Sequence, residues 1–224
     1  MSIKHVLYLH GFASSPSSNK ANIFCDKFRQ VGLNCQIPDL NEPDFEHLLL
    51  TAILAKVAET IRALPDGDVA LIGSSLGGLT ALHFIDTYPE EAQRVKKLIL
   101  MAPAFESSLR NDESMDDATR AMMAEWQSTG TRPFFNYAYN KEMPVHYALV
   151  EDLAKYDSYT VAYDIPTIIF HGKNDASVPY EQSVRFDQQH NHVKLYVRDS
   201  DHQLLDQTDF MWEQIQAFVI ESHN

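Results

Sequence analysis

Apolar residues follow two rhythms along this chain. Short β-type runs at 3–9, 34–38, 69–73, 98–101, 167–170 and 193–197, most of them continuous in Val, Ile and Leu, alternate with longer stretches of helical spacing. Continuous apolar runs are expected of strands covered on both faces, as in a parallel sheet. Helical spacing covers 19–31, with Ile23, Phe24, Lys27 and Phe28 near one face. It covers 45–64 through Leu48, Leu49, Ala52, Ile53, Val57 and Ile61. Two further helices are expected at 76–87, stopped before Pro89, and at 209–221. Strands alternating with helices imply βαβ crossovers. The pattern predicts an α/β protein with a mostly parallel, doubly wound sheet of about six strands and helices on both sides.

One interval breaks this alternation. Residues 103–164 carry no convincing parallel strand, so the chain is read as a single domain, 1–224, with a helical lid or cap insertion there. The insertion is rich in Phe, Tyr and Met. Most of these side chains are expected to pack it onto the sheet; Phe105, Met122, Phe134 and Phe135 are the candidates to line an apolar substrate pocket.

Charge and cysteine content narrow the function classes. Lys plus Arg number 18 against 31 for Asp plus Glu, a formal net charge of −13. Such a field repels phosphate backbones, so nucleic acid is not expected as a partner. An anionic small molecule stays possible, because local charge in a cleft can oppose the net charge. Cys25 and Cys35, the only cysteines, exclude a Cys-rich metal site; their spacing leaves a bridge open in principle, but with Cys35 in an apparent buried strand both are expected to be reduced thiols in a cytoplasmic protein. The N-terminal run is too short for a signal peptide, and no segment reaches the ~20 apolar residues of a membrane span.

The chemistry sits where strands end. The third run leads directly into Gly73-Ser74-Ser75-Leu76-Gly77, with a helical pattern following at once. Gly-x-Ser-x-Gly in a strand–turn–helix context exposes a serine on a sharp turn, with small neighbours permitting close approach of strand and helix. The Leu76 N–H, at the helix start, would face a developing oxyanion. After the first strand comes His10-Gly11-Phe12-Ala13-Ser14-Ser15-Pro16, where the Phe12 N–H is the natural second donor and His10 is expected to brace the loop. Asp175 follows the fifth strand and His202 the sixth. Nucleophile, acid and base thus occur in the order Ser75, Asp175, His202. Asp199 and Asp201 beside His202 either raise its pKa or cap the last helix, and the sequence leaves both open.

These four motifs span the chain, and together they resemble the α/β-hydrolase superfamily in the version lacking the first two antiparallel strands. The stretch 8–16 with Ser18 and Lys20-Ala21 is similar to the small bacterial YqiA-like esterases; Ser74 before the nucleophile and Asp201 before the base are departures. The resemblance implies a carboxylesterase- or thioesterase-like serine hydrolase acting on a small-molecule acyl ester or thioester, with no metal or organic cofactor. Acyl transfer, amide or C–C cleavage on the same triad, and a non-catalytic binding module, are the rival readings.

Overall fold

The computed structural model describes residues 3–106 and 116–220. In chain order its elements begin with β1 (Ile3–Leu9), α1 (Asn19–Gln30), β2 (Asn34–Gln36), α2 (Leu50–Ala63), β3 (Asp68–Ser74) and α3 (Leu76–Thr87). The short α4 (Pro89–Ala92) precedes β4 (Val95–Met101). Then come α5 (Asp117–Thr129), β5 (Thr131–Asn136), β6 (Lys141–His146) and α6 (Ala148–Leu153). The chain returns through β7 (Thr167–Gly172), α7 (Glu181–Gln189), β8 (Val193–Arg198) and α8 (Thr208–Val219). Six strands form one sheet in the order β2-β1-β3-β4-β7-β8, and every neighbouring pair is parallel.

Side chains of a strand alternate between faces, and that alternation builds two cores. Leu7 and Leu9 of β1, with Leu71 of β3 and Leu98 and Leu100 of β4, join α2, α3 and Phe186 of α7 on one side. Val6 and Tyr8, with Ala70, Ile72, Ile99 and Met101, join α1 and α8 on the other. Central strands buried on both faces explain why their sequence is continuously apolar.

Strand order reverses between β1 and β3: the chain leaves β1 for β2 on one side, then returns to the other side of β1 for β3. In open parallel sheets the crevice beyond the carboxyl ends of strands at such a switch point is where ligands bind. The loops after β1 and β3 open into that crevice.

Four expectations need correction. The helix expected from 45 starts at Leu50, because Phe45 and Leu48 are buried from an irregular loop instead of a helical face. Asp152 of α6 supplies the cap at that helix start, accepting from the Thr51 N–H at 2.7 Å and its hydroxyl at 2.7 Å. The insertion between β4 and β7 is not wholly helical: β5 and β6 form an antiparallel hairpin in which Pro133 faces Pro144. An unexpected helix, α7, separates β7 from β8; only Ser183 and Phe186 are buried on it, too few to mark a helical face in the sequence. Cys25 of α1 and Cys35 of β2 are not free thiols but a disulfide, their Cα atoms 5.3 Å apart across the helix–strand contact. The thiol-based argument for a cytoplasmic location falls with it. Residues 107–115 of the expected insertion and residue 221 of the expected last helix lie outside the described residues. No helix among the described residues is long and apolar enough to cross a membrane.

Candidate active site

Ser75 stands between β3 and α3 at φ 55°, ψ −117°. That left-handed conformation costs a non-glycine residue about 1–3 kcal/mol, so its surroundings must hold it there. The Ser75 N–H donates to the Met101 carbonyl at 2.9 Å, and its own carbonyl accepts from Gly78, Leu79 and Ala104. The two flanking glycines have a steric cause. A Cβ on Gly73 would lie 2.5 Å from the Gly77 carbonyl carbon, and one on Gly77 would lie 2.6 Å from the carbonyl carbon of Leu9. Strand and helix therefore approach at a distance only glycine tolerates. The outcome is a serine whose side chain faces a cavity of about 900 Å³.

The loop after β1 forms the facing wall. His10 is buried, its Nδ1 2.9 Å from the Gly11 carbonyl and its Nε2 accepting from the Leu40 N–H at 3.0 Å. Burial pushes the imidazole below its ordinary range, against the pull of the Gly11 carbonyl and Asp39. A neutral ring with Nδ1 protonated satisfies both contacts, so His10 braces the loop, as expected. C=O and N–H of one peptide point in opposite directions. With the Gly11 carbonyl held by His10, the Phe12 N–H is turned away from it. Neither the Phe12 nor the Leu76 amide has an acceptor among the described residues, and both residues line the cavity. The Phe12 ring is pinned by Phe45 and, edge-on, by Phe134.

Asp175 and His202 arrive from the loops after β7 and β8, and His202 Nδ1 lies 2.7 Å from Asp175 Oδ2. The carboxylate is fully occupied: Oδ1 accepts from the Ser177 and Val178 N–H groups at 2.8 Å each, and Oδ2 also meets His171 Nε2 at 3.2 Å. Burial works to raise its pKa, but the hydrogen bonds from His171, His202 and Val178 outweigh it and hold the carboxyl well below the ordinary carboxylate range. His171 was not singled out in the sequence. It is fully buried and anchored by the Ser183 hydroxyl at 2.7 Å, so it fixes the Asp175 carboxylate from behind. Its only sequence signal is a histidine four residues before Asp175 at the end of a strand.

Ser75 and His202 share the cavity without a direct hydrogen bond between their side chains. Such contacts commonly tighten only when substrate binds. Neither acidic neighbour of His202 touches its ring. Asp201 accepts from the Gln203 and Leu204 amides at 2.8 and 3.2 Å, and Asp199 accepts from the Asn174 side chain at 2.7 Å. Both therefore brace loops, and α8 begins without a side-chain cap.

The expected apolar lining is only partly found. Phe134 lines the cavity, together with Leu79, Leu149 and Leu153, which the sequence did not mark. Phe105 is instead buried against Phe186, its ring stacked at 4.1 Å. Met122 borders a separate, smaller hollow beside Trp126. Phe135 points outward at 44% exposure, because strand alternation sends its neighbour Phe134 inward. No cluster of three or more His, Cys, Asp or Glu residues suited to a metal occurs among the described residues.

Lys20 also lines the cavity. It is 9% exposed, and its Nζ donates to the Gln203 carbonyl at 2.9 Å. Burial lowers its pKa to about 8, while Asp201 and Asp175 work in the opposite direction. At pH 7 the amine is thus mainly a cation.

Comparison with known proteins places this arrangement. Mouse alpha/beta hydrolase domain-containing protein 10 superposes with a TM-score of 0.80 at 17% identity, over 97% of this chain and 90% of that one. Est1E from Butyrivibrio proteoclasticus gives 0.73 at 20% identity, covering 98% and 89%. The monoacylglycerol lipase of Paleococcus ferrophilus gives 0.75 at 14%, covering 98% and 96%. The fold is the α/β-hydrolase fold. A sequence relative, the 2-hydroxy-6-oxo-2,4-heptadienoate hydrolase of Pseudomonas putida, is 26% identical over 175 residues, which are 67% of this chain and 62% of that protein's length. Residues 5–220 match the Uncharacterised protein family (UPF0227), and the chain belongs to that family.

Proposed function

We propose that the protein is a serine hydrolase of carboxylic esters or thioesters, working through an acyl-enzyme. The observation that carries this reading is the 2.7 Å contact between His202 and a fully bonded Asp175, at a cavity shared with a serine on a strained strand-to-helix turn. In the first half-reaction Ser75 Oγ attacks the acyl carbonyl while His202 Nε2 takes its proton. The Phe12 and Leu76 amides receive the charge on the tetrahedral oxygen. The intermediate then collapses, and the proton on His202 passes to the departing alcohol or thiol. Water repeats the sequence on the acyl-enzyme, giving the acid and restoring Ser75. The described residues of the insertion, 103–106 and 116–164, serve as the lid, with Phe134, Leu149 and Leu153 forming the acyl wall.

The named relatives support this class of chemistry. Est1E has been solved with ferulic acid bound, and the Paleococcus protein is a monoacylglycerol lipase. Hydrolysis of 2-hydroxy-6-oxo-2,4-heptadienoate, the activity in the Pseudomonas relative's name, is the second reading, and assaying that compound in parallel separates the two.

The test is turnover of short p-nitrophenyl esters by the wild type and by Asp175→Asn. The wild type should release p-nitrophenol with an acyl-enzyme burst. In the Asn variant, the amide in place of the carboxylate leaves the His202 imidazole in the wrong tautomer and its cationic form unstabilised, and kcat should fall about 10⁴-fold. The same variant has a pH signature in stability. A carboxyl with a depressed folded pKa contributes stability above its unfolded pKa, and that contribution is lost as pH falls towards the folded value. The stability gap between wild type and Asp175→Asn should therefore narrow as pH drops below the ordinary carboxylate range. An Asn variant with wild-type kcat would remove Asp175 from the mechanism.

A further inference from the structure

We propose that Lys20 anchors an anion subsite on the leaving-group side of the cavity, so that the preferred substrates carry a carboxylate or phosphate on the alcohol portion of the ester. This rests on the hydrolase reading above and adds to it the class of leaving group.

The side of the cavity follows from the mechanism. The base must hand its proton to the departing oxygen, so the leaving group lies against His202. Lys20 Nζ is bonded to the carbonyl of Gln203, the residue directly after His202, and lines the same cavity. The cation therefore belongs to the same side of the cavity as the His202 loop. The acyl part has its own surface in Leu79, Phe134 and Leu149.

The state of the amine points to a ligand. An ammonium group carries three N–H donors, and burying it with donors unmet is costly. The Gln203 carbonyl takes one, and no other acceptor among the described residues takes the remaining two. An oxyanion on the substrate would supply what is missing, through charge-assisted hydrogen bonds stronger than neutral ones. Ser15 and Ser17, whose hydroxyls are 2.8 Å apart, line the same cavity and add neutral donors from the loop preceding α1.

Charge elsewhere fits this assignment. With a net charge of −13 the protein repels anions at long range, so an anionic substrate needs a local cation. Lys20 is the one lysine or arginine lining the cavity among the described residues, and the carboxylate of Glu106, another lining residue, is engaged by Arg185 at 2.7 Å. The competing role for Lys20 is a tether that merely holds the His202 loop in place. A lost tether would slow all esters alike, whereas a lost subsite would slow anionic esters selectively.

The experiment compares matched esters with one acyl group. 4-Nitrophenyl butyrate is paired with 3-carboxy-4-nitrophenyl butyrate, and butyryl glycerol with butyryl glycerol 3-phosphate; the two pairs separate carboxylate from phosphate. The wild type should favour the anionic member of at least one pair, through KM. The anionic-to-neutral ratio of kcat/KM should fall about tenfold in Lys20→Met and in Lys20→Gln. Equal slowing of both members, with the ratio unchanged, would overturn the subsite. Failure of the hydrolase reading shows separately, as no turnover of any ester. Calorimetry then reads the subsite without turnover, using 5-hydroxy-2-nitrobenzoate and 4-nitrophenol as ligands. Preferential, salt-sensitive binding of the carboxylated phenol to the wild type supports the proposal, and equal or absent binding of both overturns it, even if neither variant folds.

Discussion

Ser75→Ala is expected to lower kcat for p-nitrophenyl butyrate by about six orders of magnitude while leaving the folded structure intact. The size follows from the unity of the proposed machinery: without the nucleophile, His202 and Asp175 have nothing to activate. What survives is the oxyanion site and binding, each worth far less alone. Stability should change little for a structural reason. The Ser75 side chain has no hydrogen-bond partner among the described residues, and the bonds that hold its unusual φ are made by its backbone N–H and carbonyl. Alanine at φ 55° meets the same steric cost as serine, so the strain is neither relieved nor increased. Circular dichroism and a urea titration beside the assay check both halves of the expectation.

Gly77→Ala should have the opposite signature, with failure to fold preceding any loss of chemistry. An added Cβ would collide with the Leu9 carbonyl, lying 2.6 Å from its carbon and 2.8 Å from the His10 oxygen. Relief would require β1 and α3 to separate. Leu9 is fully buried, and β1 is hydrogen-bonded on both edges, to β2 and β3, so the sheet cannot yield locally. The expected destabilisation exceeds the ~4–5 kcal/mol that marks an exceptional single substitution. The observable is insoluble protein, or a soluble form without a cooperative thermal transition. A well-folded Gly77→Ala protein of wild-type stability would mean that strand and helix are not in such close approach.

Much of this organisation is legible in the sequence, and the reason is topological. A parallel sheet collects the loops after its strands on one edge, so motifs following β1, β3, β7 and β8 must converge even though they are far apart in the chain. Ser75, Asp175, His202, Phe12 and Leu76 all reach that edge. What the sequence hides depends on contacts without periodicity. The β5–β6 hairpin is masked by Pro133 and Pro144, which are poor strand residues except at an unpaired edge. Phe134 and Phe135 are chemically identical, and only strand register decides that one faces the cavity and the other solvent. Cys25 and Cys35 meet because α1 packs on β2, which local sequence does not encode. Lys20 reads as the ordinary first turn of an amphipathic helix until the loop after β8 closes over it. His171 similarly looks like a strand-end residue until Asp175 folds back onto its ring.

Placement of the nucleophile is the central claim, and covalent labelling tests it most directly. The folded protein is incubated with a fluorophosphonate, then digested, and the adduct is located by mass spectrometry. The account predicts stoichiometric modification of Ser75, nearly abolished in His202→Ala because the hydroxyl is then left without its base. An unlabelled Ser75 in folded, wild-type protein, or an adduct on another residue, would contradict it.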